Sequence, residues 1–192
     1  MSGIKKYFSL FFLLLFPVVT GTSQSYTATD SKIRVVGTST LHDWEMESDQ
    51  AQSRARFRLN GDGQPEHMES VTFRLNKTTL KSDQSRLDRR AYEALNARRH
   101  PEIVFSANSG NNVIKNGDNY QIRTTGDLTI AGVTRQVNLE AKCINGDDNK
   151  LICSGSSELK MSDFHIDPPV MFLGTLRTGD EIKIEYRVVF EK

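Results

Sequence analysis

The chain has 192 residues, enough for one domain of ordinary size. Its formal net charge of +1 excludes a strong electrostatic bias toward nucleic acid or acidic partners. With 37% hydrophobic and 26% charged residues it has a globular profile, not that of a disordered chain.

The first element is an export signal. Lys5 and Lys6 precede a nearly unbroken apolar run from Phe8 to Val19, and small residues follow at Thr20, Gly21, Thr22 and Ser23. A basic start, a short apolar core and a small-residue exit predict a secretory signal peptide over residues 1–23, cleaved between Gly21 and Ser25. The run is shorter than the roughly 20 apolar residues that span a bilayer. The mature domain is therefore expected over residues 24–192, in the periplasm or outside the cell.

Strand periodicity follows. Ala55, Phe57 and Leu59 alternate with Arg54, Arg56 and Arg58, and Val71, Phe73 and Leu75 alternate with Thr72, Arg74 and Asn76. Near the end, Ile182, Ile184, Tyr186 and Val188 alternate with Glu181, Lys183, Glu185 and Arg187. Such alternation marks antiparallel strands with one dry and one wet face. Turn residues punctuate them at Asn60–Gly63, Asn116–Asn119, Ala131–Gly132 and Asn145–Asn149. Many short strands with regular turns predict an all-β sandwich or closed barrel.

Between Ser82 and Arg99 the alternation stops. Leu87, Ala91, Tyr92 and Leu95 fall at helical spacing, so one helix is expected there. Ser85-Arg86-Leu87-Asp88 fits a capping box, and Pro101 stands just beyond the helix as its terminator.

Cys143 and Cys153 lie symmetrically about position 148, inside the Asn145–Asn149 turn. A hairpin centred there places them opposite each other, within disulfide reach. Their spacing fits neither a zinc site nor a redox Cys-x-x-Cys pair, so a structural disulfide is expected.

No nucleophile elbow, His-Glu-x-x-His pair or phosphate loop is present. Ser157-Glu158-Leu159-Lys160 matches Ser-x-x-Lys by letter, but in a strand its two reactive side chains face opposite ways. Asn76-Lys77-Thr78 matches a glycosylation sequon that has meaning only in a eukaryotic secretory pathway. His42, His67, His100 and His165 sit in four separate segments without ligand spacing, so no metal site is expected. His42 and His165 remain candidates for anchoring a polar ligand end. Arg54, Arg56 and Arg58 form one basic stripe. Lys81, Arg86, Arg89, Arg90, Arg98 and Arg99 form another, against Asp83, Asp88 and Glu93. Either suits a phosphate headgroup or an anionic membrane, though a solvated face is the ordinary explanation.

Several stretches resemble one known family. These are His100-Pro101 followed by Ile103–Ser106, then Gly126–Val137, Met161–Pro169 and Thr178–Ile182. Over about Ser31 to Phe190 the chain is similar to the YceI-like group of exported bacterial lipid-binding proteins. Its Gly37–Met46 stretch departs from the histidine–small–apolar opening common in that group. The resemblance implies a lipocalin-like, eight-stranded antiparallel β-barrel with one helical insertion. It also implies a channel for long apolar chains such as polyisoprenoids or isoprenoid quinones.

The expected function is thus a periplasmic or secreted binder or carrier of a long-chain lipid, and not an enzyme. No cofactor is expected beyond a bound isoprenoid, quinone or fatty-acid-like ligand. Transient contact with a membrane surface is expected, and nucleic acid is not. The alternative is a cargo-free structural or stress-response envelope barrel acting through protein partners. A third reading, a lipid- or sugar-active enzyme, would have to use His42, Asp43 or Asp163. Inward parity nominates Phe57, Phe73, Phe105, Leu128 and Ile184 as channel lining, with Trp44, Phe164 and Phe172 nearer the ends. In a filled barrel the same positions would be packed core.

Overall fold

A computed structural model describes residues 22–108, 111–147, 150–171 and 175–192. The expected signal segment up to Gly21, and Phe172, lie outside the described residues. Thr22 and Ser23 are the first residues of strand β1.

The elements run β1 (Thr22–Ser39), β2 (Trp44–Ser48), β3 (Gln52–Leu59), β4 (Pro65–Asn76), α1 (Ser85–Ala94) and β5 (Glu102–Ala107). They continue with β6 (Asn111–Asn116), β7 (Asn119–Ile130), β8 (Val133–Asn145), β9 (Leu151–Lys160), β10 (Val170–Met171) and β11 (Leu176–Glu191). Strand pairing closes through β1 and β11 into an antiparallel barrel of eight positions, the closed one of the two architectures that alternation and turns allow and the one that the family resemblance implies. Two positions are shared. β5 and β6 occupy successive lengths between β4 and β7. β3 pairs with Thr22–Thr27 of β1, and β2 pairs with Ile33–Gly37 of the same strand. At that changeover Ser31 is buried, donating to Asp49 O and accepting from the Ala51 amide, so the backbone leaving the ladder stays hydrogen-bonded.

The inward rows bury as the alternation requires. In β3, Ser53, Ala55, Phe57 and Leu59 are buried while the arginines between them are exposed. At one end, around the turns that follow β3, β6 and β8, Tyr26, Phe57, Leu59, Met68, Tyr120, Leu151 and Phe190 fill the barrel. Cys143 and Cys153 are register partners there and are disulfide-bonded, as their mirror spacing predicts. Closing so short a loop restricts the unfolded chain and contributes about 2–3 kcal/mol.

The opposite end carries the helical insertion. α1 lays Ala91 and Tyr92 against Ile33, Met46, Leu75 and Leu80, and Ala94 and Leu95 against the Phe105–Phe164 cluster. Its start differs from the expected capping box. Gln84 occupies the cap position without a side-chain bond, and Ser85 is already helical. The Asp88 carboxylate instead accepts from the Ser82 amide (2.8 Å) and hydroxyl (2.7 Å). Asp88 is nearly buried, so two donors supplied by Ser82 satisfy it where an exposed Ser85 does not. The helix ends at Ala94, well before Pro101, and Asn96 turns into the left-handed region at φ 51°.

Its last turn is held from beneath by Lys77. The Lys77 side chain has no solvent exposure, and its Nζ donates to Leu95 O (3.0 Å) and His100 O (2.7 Å). An ammonium at a helix C-terminus is favourably placed against the dipole. Burial still pushes its pKa down to about 8.

Candidate ligand cavity

Between the filled end and the α1 end the barrel holds a cavity of about 1130 Å³, counting the part open to solvent. The void has a sequence-level cause. Ala55, Val71 and Ala107 are register partners across β3, β4 and β5, and Ala141 faces Gly155 across β8 and β9. This belt of small inward residues leaves space in the middle of the barrel between the clusters packed towards its two ends. The wall of this void is almost wholly hydrocarbon, the character of a site for an apolar ligand.

Five of the residues nominated by parity converge on this cavity: Phe57, Phe73, Phe105, Leu128 and Ile184. The Phe105 ring lies over Gly126, where a methyl group would come within 2.6 Å of its edge. Trp44 and Phe164 pack at the α1 end without lining the cavity. The Trp44 ring lies against Gly37, its Nε1 donating to Thr38 O at 3.1 Å. Phe164 is buried with Met161 and Ile166.

The wall also includes residues that large-apolar parity did not single out, notably Ser53, Thr124, Ser157 and Tyr186. Among the described residues these hydroxyls are its polar side chains, with no carboxylate, imidazole or amine in the wall. The Ser53 hydroxyl is spoken for, donating to Thr72 O at 2.9 Å. Tyr186 crosses Gly155 and donates to Glu140 O at 2.9 Å. A methyl group at Gly155 would overlap both the Tyr186 hydroxyl and the Glu140 carbonyl, so only glycine leaves the tyrosine its path. Burial, and then the neighbouring Glu140 carboxylate, push the Tyr186 phenol up to about 12, so it is a proton donor throughout the neutral range.

The other candidates lie away from the cavity. His42 is exposed, its Nδ1 2.7 Å from Asp43 O. Asp163 and His165 are exposed on the turn after β9, where Arg135 Nε donates to Asp163 O at 2.8 Å. The adjoining Ser162 amide and hydroxyl donate to Asp180 and hold its carboxyl below the usual carboxylate range. Ser157 lines the cavity while Lys160 is outside, 3.8 Å from Glu181. Among the described residues, no group of three or more His, Cys, Asp or Glu side chains is placed to hold a metal ion. The β3 stripe faces outward, with Arg58 3.6 Å from Glu66.

Comparison with known proteins agrees with this architecture. Residues 25–190 match the model of the YceI-like domain. Protein YceI of Escherichia coli O157:H7 is 34% identical over 105 residues, covering 51% of this chain and 52% of that protein. UPF0312 protein ECA1782 of Pectobacterium atrosepticum is 33% identical over the same shares. The chain thus spans about half the length of the curated relatives it matches. Among solved structures, Burkholderia cenocepacia BcnA superposes with a TM-score of 0.64 at 15% identity, covering 83% of this chain and 95% of that one. A polyisoprenoid binding domain from Saccharophagus degradans reaches 0.64 at 8% identity, covering 86% and 97%. The matching barrel, its single helical insertion and the span of the domain match together establish that the chain belongs to the YceI-like family.

Proposed function

We propose that this protein binds and carries a long, flexible, mostly hydrocarbon ligand, of the polyisoprenoid, isoprenoid quinone or fatty-acid-like class, outside the cytoplasm. The observation that carries this reading is the apolar cavity opened by the small-residue belt. The similarity to a polyisoprenoid binding domain supports the ligand class. The leader around Lys5, Lys6 and Phe8–Val19 and the Cys143–Cys153 disulfide suit an oxidising compartment. A wall of hydroxyl and hydrocarbon groups suits holding a ligand and offers no general base, so we read the protein as a binder and not an enzyme.

Organic extracts of natively purified protein should contain a reproducible long-chain lipid by mass spectrometry. In a homologous series of n-alkyl alcohols, each added methylene should contribute about 0.8 kcal/mol, tightening binding about fourfold until the cavity is full. Titration calorimetry measures the slope. A flat series with lipid-free extracts would instead favour the cargo-free envelope barrel.

Hydrocarbon cargo must pass to and from a lipid phase, and the α1 end is suited to meet one. Arg86, Arg89 and Arg90 form the outer row of α1, interrupted only by Glu93, and Arg98 and Arg99 follow; all five are exposed, and among the described residues none forms an ion pair with a carboxylate. Cations on the barrel flank mostly do pair, as in Arg34–Glu45, Arg74–Glu102 and Arg123–Glu140. Leu41 and Val170, 73% and 52% exposed, add apolar contacts in the loops bridged by Thr40 and Thr178. We infer transient docking of this end on an anionic bilayer. Vesicles containing phosphatidylglycerol should sediment the protein, and phosphatidylcholine vesicles should not. At about 1 kcal/mol per cation, the combined Arg86→Ala, Arg89→Ala and Arg90→Ala changes should weaken that binding about 100-fold. Equal binding to both vesicle types would rule this surface out.

A further inference from the structure

The barrel wall is incomplete along the seam between β8 and β9. β7 pairs with β8 from Asn119 to Ile130, and β9 pairs with β11 along its whole length. Between β8 and β9, however, the ladder runs only from Asn145↔Leu151 to Ala141↔Gly155. Beyond it, the ladder pairing of Val133–Glu140 runs to β7 and that of Ser156–Lys160 to β11, with no register between the two segments among the described residues. Leu139, Ser157 and Leu159, on the inner face of this unpaired length, all line the cavity. The seam has two ends. Below, the Tyr186 hydroxyl takes the Glu140 carbonyl just where the ladder stops, and the Cys143–Cys153 bond fixes the strands one inward pair further down. Above, the Met161–Phe164 turn packs between the strands and is tied to β8 by Arg135.

We propose that this unpaired seam is a lateral portal through which a hydrocarbon chain enters and leaves the cavity, with the Tyr186–Glu140 hydrogen bond as its lower latch. It rests on the reading that the cavity holds such a ligand. The alternatives are costlier. Passage through a fully paired seam would break several ladder hydrogen bonds, each with a desolvation penalty. The end near Tyr26, Phe57 and Tyr120 is solidly filled, and the opposite end is covered by α1, which Lys77 pins down. Parting β8 from β9 above Gly155 breaks no ladder bond between them.

Asn138 and Glu158 would be partners if the ladder continued, and both are exposed outside the cavity. In an Asn138→Cys, Glu158→Cys protein, a short bismaleimide joins the two new thiols and leaves the native disulfide untouched. Stopped-flow fluorescence with N-phenyl-1-naphthylamine should then show uptake and release slowed at least tenfold, with equilibrium affinity unchanged. Unchanged rates overturn the portal while leaving the cavity reading intact. A wild-type protein that does not bind the probe overturns both. Amide exchange on the unsubstituted protein supplies a second readout. Amides of residues 156–160 that face β8 should exchange at least a hundredfold faster than those of Cys143 and Cys153, and equal protection overturns the portal.

Discussion

A Val71→Trp protein should remain folded and lose long-chain ligand binding by at least a hundredfold. Val71 stands between Ala55 and Ala107 in the small-residue belt and lines the cavity, so an indole there extends into the space that the ligand would occupy. Overpacking a filled core costs about 1–3 kcal/mol, and the cost here should fall at or below the low end of that range. The ligand loses more. An indole displacing about four methylenes removes roughly 3 kcal/mol of transfer energy, which is more than a hundredfold in Kd. Thermal unfolding and probe titration on the same sample separate the two effects. A variant that unfolds would show the belt to be packed core, and one that still binds tightly would place the ligand elsewhere.

The second large effect belongs to Lys77. Lys77→Ala removes the donor to Leu95 O and His100 O, leaves two carbonyls unpaired under α1 and opens a hole beneath the helix. Together these should cost about 3 kcal/mol, or a fall in Tm of roughly 6–12 °C. The pH dependence identifies the amine itself. Its folded pKa, about 8, is below the ordinary lysine value of the unfolded chain. Between about pH 8 and 10.5 the unfolded chain therefore holds a proton that the folded chain has released. Unfolding takes up that proton, so this group's contribution to stability rises with pH across the window and is level below it. Denaturant melts should show the wild type gaining about 3 kcal/mol on a Lys77→Met protein from pH 8 to 10.5. A constant difference would mean that the amine titrates as a solvated lysine.

The fold is largely legible in the chain because a barrel strand states its two faces every second residue. Ala55-Phe57-Leu59 and Ile184-Tyr186-Val188 could be assigned inward without any partner, and the cysteines about position 148 set their own register. What parity does not carry is depth. It points to Phe105 and Leu128 as inward, but whether they meet an opposing side chain depends on Ala55, Ala107 and Ala141, residues too small to draw notice. Trp44 and Phe164 have the size of lining residues, yet each finds a partner at the end of the barrel. Lys77 was hidden for a different reason. A lysine after Asn76 reads as surface, and its burial is decided by the backbone carbonyls of a helix nearly twenty residues on. The unpaired seam is a property of two strands jointly, and each of them alone has an ordinary alternating pattern.

Both ends of the described domain lie at the solidly filled end of the barrel. Thr22 pairs with Leu59 beside the first hairpin, and Lys192 sets its Nζ 5.8 Å from the centre of the Tyr26 ring. The molecule is therefore polar in its handling. Tethering it to a sensor surface through a cysteine placed at Thr22 or at Lys192 presents α1, its arginine row and the upper rim of the barrel to solution. A tether through α1 would hide them.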